Sequence, residues 1–215
     1  MANVYGTDKY NDYINEYLAS NDFQKIGEEN RTFNNLETKI EYFEYHYKIS
    51  GYDGLKEKTI ITITDKANTK HIYECIDAFF MPYEFGYNSS QYLIFRKSLY
   101  GYTLLNLTDF TETNYFPSRV LEGEEAFIIC EAKILKNLLA LGGCLWGGPY
   151  ECRILNLDTL QVANISELCG ITDIAGDINV SADALILKDE STNNIIKLEY
   201  ERLNELVELK HAEDL

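Results

Sequence analysis

The residues with the most distinctive chemistry lie in residues 142–150, which read Gly-Gly-Cys-Leu-Trp-Gly-Gly-Pro-Tyr. This segment holds Trp146, the only tryptophan, among glycines that allow backbone angles most residues resist, and Pro149 restricts its exit. A rigid loop that presents Trp and Tyr suits recognition, because aromatic side chains supply contact area at low entropic cost. The alternative is that Trp146 packs inward and stabilises a wide hairpin.

Carboxylates and further aromatic residues occur in neighbouring segments, at 100–102 and 122–125. Aromatic side chains combined with carboxylates suit cationic or basic ligands. We therefore predict one binding surface built from several loops. Its candidate residues are Tyr100, Tyr102, Glu122, Glu124, Glu125, Cys144, Trp146 and Tyr150.

Catalytic signatures are missing from the sequence. It contains no G-x-S-x-G elbow, P-loop or dinucleotide fingerprint, and His46, His71 and His211 are isolated from one another. Residues 177–183 superficially suggest a calcium loop but lack its glycine, and Lys188 stands where the closing glutamate belongs. Whether the protein is an enzyme stays open, with the balance against it, and we expect no metal site and no cofactor.

The balance of charge restricts the partners. Nineteen basic residues against thirty-five acidic ones give a net charge of −16. This charge repels polyanions, so we expect neither nucleic acid nor an anionic membrane as a partner. A basic protein, a cation or a neutral ligand remains compatible, and the simplest alternative is that the charge only keeps the protein soluble.

Cysteine usage indicates a reducing compartment, and the apolar runs and N-terminal residues bear on targeting. The five cysteines form no C-x-x-C pair, although a disulfide between Cys144 and Cys152 is a less favoured alternative. No apolar run approaches the length of a membrane span, and residues 1–8 lack the pattern of a secretory signal. We therefore expect a cytoplasmic protein.

The elements that position these residues change character along the chain. Helical spacing of Tyr10, Tyr13, Ile14, Tyr17 and Leu18 predicts an amphipathic helix over 8–19 that packs on the body or, alternatively, binds a partner. The next residues, 21–36, have the composition of a connecting segment. We therefore divide the chain into 1–36, the helix and connection, and 37–215, the β-domain, within one globular domain.

From residue 37 onward the period is two, and similar segments recur. With Ile63, Leu107, Leu157 and Leu198 as equivalent positions, the intervals are 44, 50 and 41 residues. This period is typical of four-stranded propeller blades. The predicted fold is all-β, with about four propeller-like units after a short N-terminal helix. Four blades are few for a closed ring, so an incomplete ring, an open stack or closure by a second chain remain alternatives.

The repeats predict strands in four sets and place the candidate loops. First strands are expected at 79–85, 126–132 and 171–178, second strands at 42–49, 92–96, 138–142 and 184–188, and fourth strands at 70–76, 111–116, 161–165 and 205–210. The last of these fits a helix over 201–209 equally well. The loops between second and third strands are then 50–58, 97–101, 143–151 and 189–193. In a propeller they share a face with the blade-joining loops, which would unite the candidate residues.

The segment Gly143–Tyr150 resembles a Gly-Cys-x-Trp-x-x-Pro-Tyr loop of small uncharacterised bacterial proteins with propeller-like, WD40-related repeats. The resemblance covers residues 92–165. Leu145 and Gly148 stand where an aromatic residue and a second cysteine are expected, and the Gly-His and Trp-Asp signatures of WD40 blades are missing. The resemblance implies the architecture only and no catalytic role.

We therefore expect a non-enzymatic protein-interaction module that uses an aromatic and acidic loop face to bind another protein, and a basic partner is compatible with this face. One alternative is a small-molecule-binding protein or hydrolase with a central pocket lined by carboxylates such as Glu124 and Glu125. Another is an immunity or antagonist protein that binds a basic toxin.

Overall fold

The structure, a computed structural model, describes residues 2–18, 22–76 and 81–209. In these residues the chain is mostly β, as the alternating pattern predicts, with four antiparallel sheets and a few helices. The chain divides into two compact units. The N-terminal unit comprises residues 4–116, and the C-terminal unit comprises residues 1–3 and 117–215.

The N-terminal unit begins with helix α1 (Asp8–Leu18), so the predicted helix is confirmed up to residue 18. The Tyr10 backbone N–H donates to Thr7 Oγ1 at 3.3 Å, a hydrogen bond that caps the first turn. The Tyr10 ring is buried and meets Phe116 edge-on, with the ring centroids 5.1 Å apart. The helix therefore packs its aromatic stripe on the sheets, as expected.

Two four-stranded meanders complete the N-terminal unit. Their strands are β1 (Gln24–Phe33), β2 (Leu36–Ile49), β3 (Tyr52–Thr64), β4 (Lys70–Ile76), β5 (Tyr83–Tyr87), β6 (Ser90–Phe95), β7 (Tyr102–Asn106) and β8 (Glu112–Tyr115). A single core joins the sheets, through residues such as Ile40 and Ile61 from the first and Leu93 and Leu105 from the second.

The prediction of a connecting segment over 21–36 is wrong, because residues 24–33 form strand β1. It supplies the first strand of the first sheet and pairs with β2 along its length. Its sequence is polar because it is an edge strand in which only Phe33 is buried. Charged pairs replace apolar contacts there, as between Lys25 Nζ and Glu41 Oε1 at 2.6 Å. Such a strand lacks the apolar alternation on which sequence prediction depends.

The C-terminal unit contains a four-stranded meander, a three-stranded sheet and three short helices. Its elements are η1 (Ser118–Glu122), β9 (Ile128–Leu135), β10 (Leu138–Cys144), β11 (Tyr150–Asn156), β12 (Val162–Asn164), α2 (Ile165–Cys169), β13 (Asn179–Val180), β14 (Ala184–Lys188), β15 (Ile195–Glu199) and α3 (Tyr200–Leu209). One core cluster joins both sheets to α3.

Two predicted strands of this unit are wrong. Residues 171–178 form no strand; Ile174 makes only an isolated bridge to Asp189, and β13 begins at Asn179. Residues 205–209 lie in α3, which is the helical alternative, and residue 210 is outside the described residues. Leu203 and Val207 of α3 are fully buried in the core, so the apolar positions have helical spacing.

One turn geometry recurs between the last two strands of two sheets. Asn106 and Asn156 occupy equivalent turns, in which the side chain accepts the N–H two residues later, at 2.8 and 2.9 Å. Each asparagine carbonyl also accepts an N–H at 2.8 Å from a residue of positive φ, Phe110 or Leu160. These asparagine turns explain why residues 104–110 and 154–160 look alike in sequence.

Gly101, just before β7, lies where the chain comes very close to the end of β8. We therefore predict that Gly101→Ala strongly reduces the stability of the folded protein. The φ of Gly101 is +79°, and an added Cβ would lie 2.1 Å from the Tyr115 carbonyl oxygen. The matched control is Gly123→Ala, where φ is +82° and no atom lies within 4 Å of the added Cβ.

We expect Gly123→Ala to reduce the free energy of unfolding by about 1–2 kcal/mol, the cost of the left-handed backbone. Gly101→Ala should cost about 1–3 kcal/mol more, because the strands must separate. Urea denaturation measures both, and equal losses would contradict the steric explanation.

Candidate functional site

Strands β10 and β11 are joined by residues 145–149, which we call the Trp146 loop. The Gly148 N–H donates to the Leu145 carbonyl at 2.8 Å and closes a tight turn, with Trp146 and Gly147 (φ +70°) at its centre. The Trp146 side chain is 67% exposed, so the indole faces solvent and does not pack on the loop base.

Glycine at the base of the loop allows the neighbouring strand to approach. A Cβ on Gly143 would lie 2.0 Å from the Ile128 carbonyl oxygen and 2.9 Å from the Phe127 ring. A Cβ on Gly142 would lie 2.6 Å from Cγ of Glu131, whose side chain crosses this position. The two glycines therefore serve strand packing at the base, while Gly147 serves the turn.

Cys144 and Tyr150 face each other across the base of the loop, as the last residue of β10 and the first of β11. The Tyr150 N–H donates to Asp173 Oδ1 at 2.8 Å, and the Ile174 N–H donates to the Tyr150 carbonyl at 3.0 Å. Burial, and then the nearby Cys130, raise the pKa of the Tyr150 hydroxyl, so the phenol is neutral. Asp173 thus belongs to the site, although the sequence did not indicate it.

The cysteines near the loop are thiols. Burial, followed by the neighbouring Cys130, raises the pKa of Cys144, which keeps it protonated and weakly nucleophilic. All five cysteines are free. Cys144 and Cys152 are both among them, so the alternative of a Cys144–Cys152 disulfide is wrong.

The predicted glutamates lie in the segment that leads into β9 from η1. Glu122, Glu124 and Glu125 are all exposed, and Glu124 Oε2 lies 3.1 Å from an Arg119 guanidinium nitrogen. The first residue of β9, Ile128, pairs with Cys144 at the end of β10. This glutamate segment therefore enters the sheet at the end from which the Trp146 loop projects.

Glu131 is a second acidic residue that sequence reasoning missed. It is half-buried, and its Oε1 accepts the Ile178 N–H at 2.9 Å. Burial raises the pKa of the Glu131 carboxyl, the Ile178 N–H opposes this rise, and Asp177 adds to it. The chain contains thirty-five acidic residues, and Glu131 occupies a polar position in a strand with ordinary apolar–polar alternation. The sequence therefore carried no signal that singled it out.

The two predicted tyrosines, Tyr100 and Tyr102, belong to the N-terminal unit, whereas the other six candidates belong to the C-terminal unit. Tyr102 is buried and stacks on Tyr115 with the ring centroids 5.5 Å apart, and burial raises the pKa of its hydroxyl to about 12. Its ring is therefore core. Tyr100 is half-buried, and its carbonyl accepts the Ser98 hydroxyl at 2.8 Å.

The histidines that the structure describes have local roles. His71 Nε2 lies 3.1 Å from Asp65 Oδ2, and the ring stacks on Phe110 at 3.6 Å. His46 Nε2 lies 3.1 Å from Glu44 Oε2, and His211 is outside the described residues. Within residues 2–18, 22–76 and 81–209, no three His, Cys, Asp or Glu side chains are grouped as metal ligands.

A cavity of about 420 Å³ lies between α1 and β4 in the N-terminal unit. Its lining consists of Tyr5, Tyr10, Asn11, Ile14, Asn15, Ile72, Tyr73, Glu74, Ile76 and Lys97. Burial lowers the pKa of Lys97, but hydrogen bonds to Glu112 and to the Tyr5 hydroxyl outweigh this effect, so the pKa is raised. The cavity therefore contains a fixed ammonium group beside aromatic rings.

No protein-family model, curated protein or solved structure matches the chain. The resemblance of the Trp146 loop to uncharacterised bacterial proteins thus stays a prediction. None of the helices in the described part of the chain combines the length and the apolar character that crossing a membrane requires.

Glu131→Gln tests the electrostatics of the site. The pKa of the Glu131 carboxyl is higher in the folded than in the unfolded chain, so the native state loses stability as the pH rises and this carboxyl ionises. Glutamine keeps the acceptor oxygen for the Ile178 N–H but never ionises. We expect Glu131→Gln to stabilise the protein by at most about 1 kcal/mol at about pH 7, with little effect at about pH 4.

Denaturation at both pH values measures this difference. The control is Glu125→Gln, which removes the same charge from an exposed position of the same unit. An equal pH dependence in both variants would mean that net charge, and not the burial of Glu131, causes the effect.

Proposed function

We propose that this protein is a non-enzymatic interaction module, and that the Trp146 loop with its neighbouring carboxylates binds a basic segment of a partner protein. The observation that carries the proposal is the 67% exposure of the only tryptophan, at the tip of a turn closed by the Gly148–Leu145 hydrogen bond. Leaving an indole in water forgoes the free energy of its burial. Interfaces recover that energy, and tryptophan is enriched among the residues that dominate binding.

Charge around the loop supports a basic partner. Glu122, Glu124 and Glu125 lead into the same end of the sheet, and the chain carries a net charge of −16. Such a field accelerates the approach of a cationic segment and repels polyanions. The indole face can also contact a lysine or arginine side chain directly.

The chemistry at the loop base supports binding and not catalysis. The raised pKa values of Cys144 and Tyr150 leave a thiol and a phenol, not a thiolate and a phenolate. A thiol in this state is a poor nucleophile. Both residues instead pack the base from which the loop projects.

We also propose that the four sheets are propeller-type blades of a cytoplasmic protein. Three of the sheets are four-stranded antiparallel meanders, in which each strand pairs with its neighbours in sequence order. This order is what a propeller blade requires.

Replacing the indole tests the proposal. Affinity capture with Trp146→Ala should lose the partners that the parent protein captures, with affinities lower by roughly 30-fold or more, because truncating a dominant interface residue costs about 2 kcal/mol or more. The matched control is Leu160→Ala, a partly exposed apolar residue in the turn at the opposite end of the same sheet. Retention of every partner by Trp146→Ala would show that the loop is not the binding surface.

Fluorescence gives an independent measurement, since Trp146 is the only tryptophan. A lysine-rich peptide should shift its emission to shorter wavelength as the indole is covered, and added salt should reverse the shift. A glutamate-rich peptide of equal length should leave the emission unchanged. Equal shifts with the two peptides would argue against an acidic recognition surface.

The cavity beside α1 favours a second candidate function, small-molecule binding. Its lining does not include Glu124 or Glu125, around which the sequence suggested a pocket. We propose that it takes a small aromatic carboxylate, with the rings of Tyr5, Tyr10 and Tyr73 against the ligand. Two of the three N–H donors of Lys97 bond to Glu112 and Tyr5, and the third would donate to the ligand's carboxylate.

NMR titration with 4-hydroxybenzoate tests this second function. We expect the Tyr10 and Tyr73 signals to shift as the ligand binds. Lys97→Met should lower the affinity obtained from these shifts by roughly 10-fold, because a charged hydrogen bond is lost. The control is Lys9→Met, an exposed lysine on α1 that does not line the cavity. Identical titrations for both variants would exclude Lys97 as the anchor.

A further inference from the structure

The hairpin formed by β2 and β3 extends beyond the strands on either side of it. Strand β1 begins at Gln24, opposite Glu44, and β4 ends at Ile76, opposite Lys58. Among the described residues, residues 45–56 therefore form a two-stranded ribbon, which we call the β2–β3 ribbon. Ser50 and Gly51 form its turn, with φ values of +52° and +86°, as a tight two-residue hairpin requires. The sequence predicted a loop over 50–58 here.

The register of the hairpin decides which backbone groups point outward. Ile49 and Tyr52 flank the two-residue turn, so they form a hydrogen-bonded pair, and such pairs alternate along the ribbon. The backbone N–H and C=O groups of His46 and Lys48 consequently point away from β3. No strand among the described residues pairs with this edge.

The opposite edge is covered just beyond the ribbon. Glu57 of β3 also points its backbone groups outward, and there its N–H donates to the Tyr17 hydroxyl at 2.9 Å. The Tyr17 hydroxyl in turn donates to the Glu57 carbonyl at 3.2 Å. Tyr17 of α1 thus ends the free part of the β3 edge, as β1 ends that of the β2 edge opposite Glu44. The two edges differ on the apolar face, where β2 carries Tyr45 and Tyr47 and β3 carries Lys56 and Gly54 opposite them. We therefore place an additional strand at the β2 edge.

One face of the ribbon exposes an apolar stripe. The Tyr45 and Tyr47 rings stack with centroids 5.9 Å apart. The Tyr47 ring lies over Gly54, where an added Cβ would be 2.3 Å from the ring. Ile49 is 63% exposed and Tyr52 80% exposed. The rings are thus held flat along the strand, with apolar surface left in water at the tip.

We propose that a second copy of this chain pairs antiparallel along residues 45–49, with the two-fold axis at Tyr47. In this register the outward groups of His46 face those of the partner's Lys48, and the reverse. On the apolar face, Tyr47 meets the partner's Tyr47, and Tyr45 covers the partner's exposed Ile49. The same five residues thus supply both sides of the contact, as a two-fold interface requires.

Charge favours a second copy at this place. Most surfaces of a chain with a net charge of −16 repel an identical chain, but the ribbon contains two lysines and one aspartate. On its charged face, Lys48 Nζ lies 3.5 Å from Asp53 Oδ1, and His46 Nε2 lies 3.1 Å from Glu44 Oε2. The Lys48–Asp53 pair is therefore balanced within each copy. The contact is short, so the dimer should be weak, with a dissociation constant of micromolar or higher.

Sedimentation equilibrium of the full chain, up to about 1 mM, tests the proposal. We expect a monomer–dimer equilibrium that His46→Pro abolishes, because proline removes an outward N–H that the β2–β3 ladder does not use. The matched control is Leu55→Pro, the residue opposite His46, which removes an outward N–H from the other edge and should leave the dimer intact. A parent chain that stays monomeric throughout would overturn the proposal.

Cysteine cross-linking separates the proposed register from general damage to the ribbon. Tyr47 would form a non-hydrogen-bonded pair on the axis, with Cα atoms about 4.5 Å apart, which is within reach of a disulfide. Mild oxidation should therefore join Tyr47→Cys into a covalent dimer at least 10-fold faster than Asp53→Cys, on the other edge, or the parent chain. Equal rates for the two variants, or binding of a separate peptide strand in place of a second copy, would refute the two-fold pairing.

Discussion

Each unit depends on burying one face of a sheet against the next sheet. A meander alone leaves both faces in water, and in the N-terminal unit Ile40 and Ile61 of the first sheet reach the same core as Leu93 and Leu105 of the second. In the C-terminal unit the sheet of β13–β15 is short, and α3 completes the core by burying Leu203 and Val207. The helix thus provides the apolar area that a fourth strand would otherwise supply.

Because the sheet faces are buried, aromatic side chains are exposed mainly at the ends of the sheets. The Trp146 loop projects from a base held by Cys144, Tyr150 and the hydrogen bonds to Asp173 and Ile174. Cys152 and Ile154 of β11 are buried in the core, while Trp146 in the loop stays exposed. The β2–β3 ribbon of the N-terminal unit likewise carries aromatic side chains beyond the core. There Gly54 lacks a Cβ, so the Tyr47 ring can lie flat on the backbone. Exposed aromatic groups occur where the fold fixes their position.

Much of the β architecture follows from local signals. The turns at Asn106 and Asn156 use the same side-chain hydrogen bond, so they repeat in sequence as well as in structure. Strand β1 and the segment at 171–178 could not be predicted in this way. The first is polar because it is an edge strand, and the second is apolar because it crosses the core of the C-terminal unit as an irregular segment. In both, the tertiary environment overrides the pattern of alternation.

The sequence by itself determined the mostly-β class, the four repeats, the N-terminal helix and the position of the tryptophan loop. Periodicity and turn residues act locally, so they can be read without a structure. Only the tertiary structure decided that Trp146 faces solvent while Tyr102 is core, since exposure depends on which sheet face meets another. It also placed Asp173 and Glu131 beside the loop, because residues distant in sequence become neighbours only when strands pair.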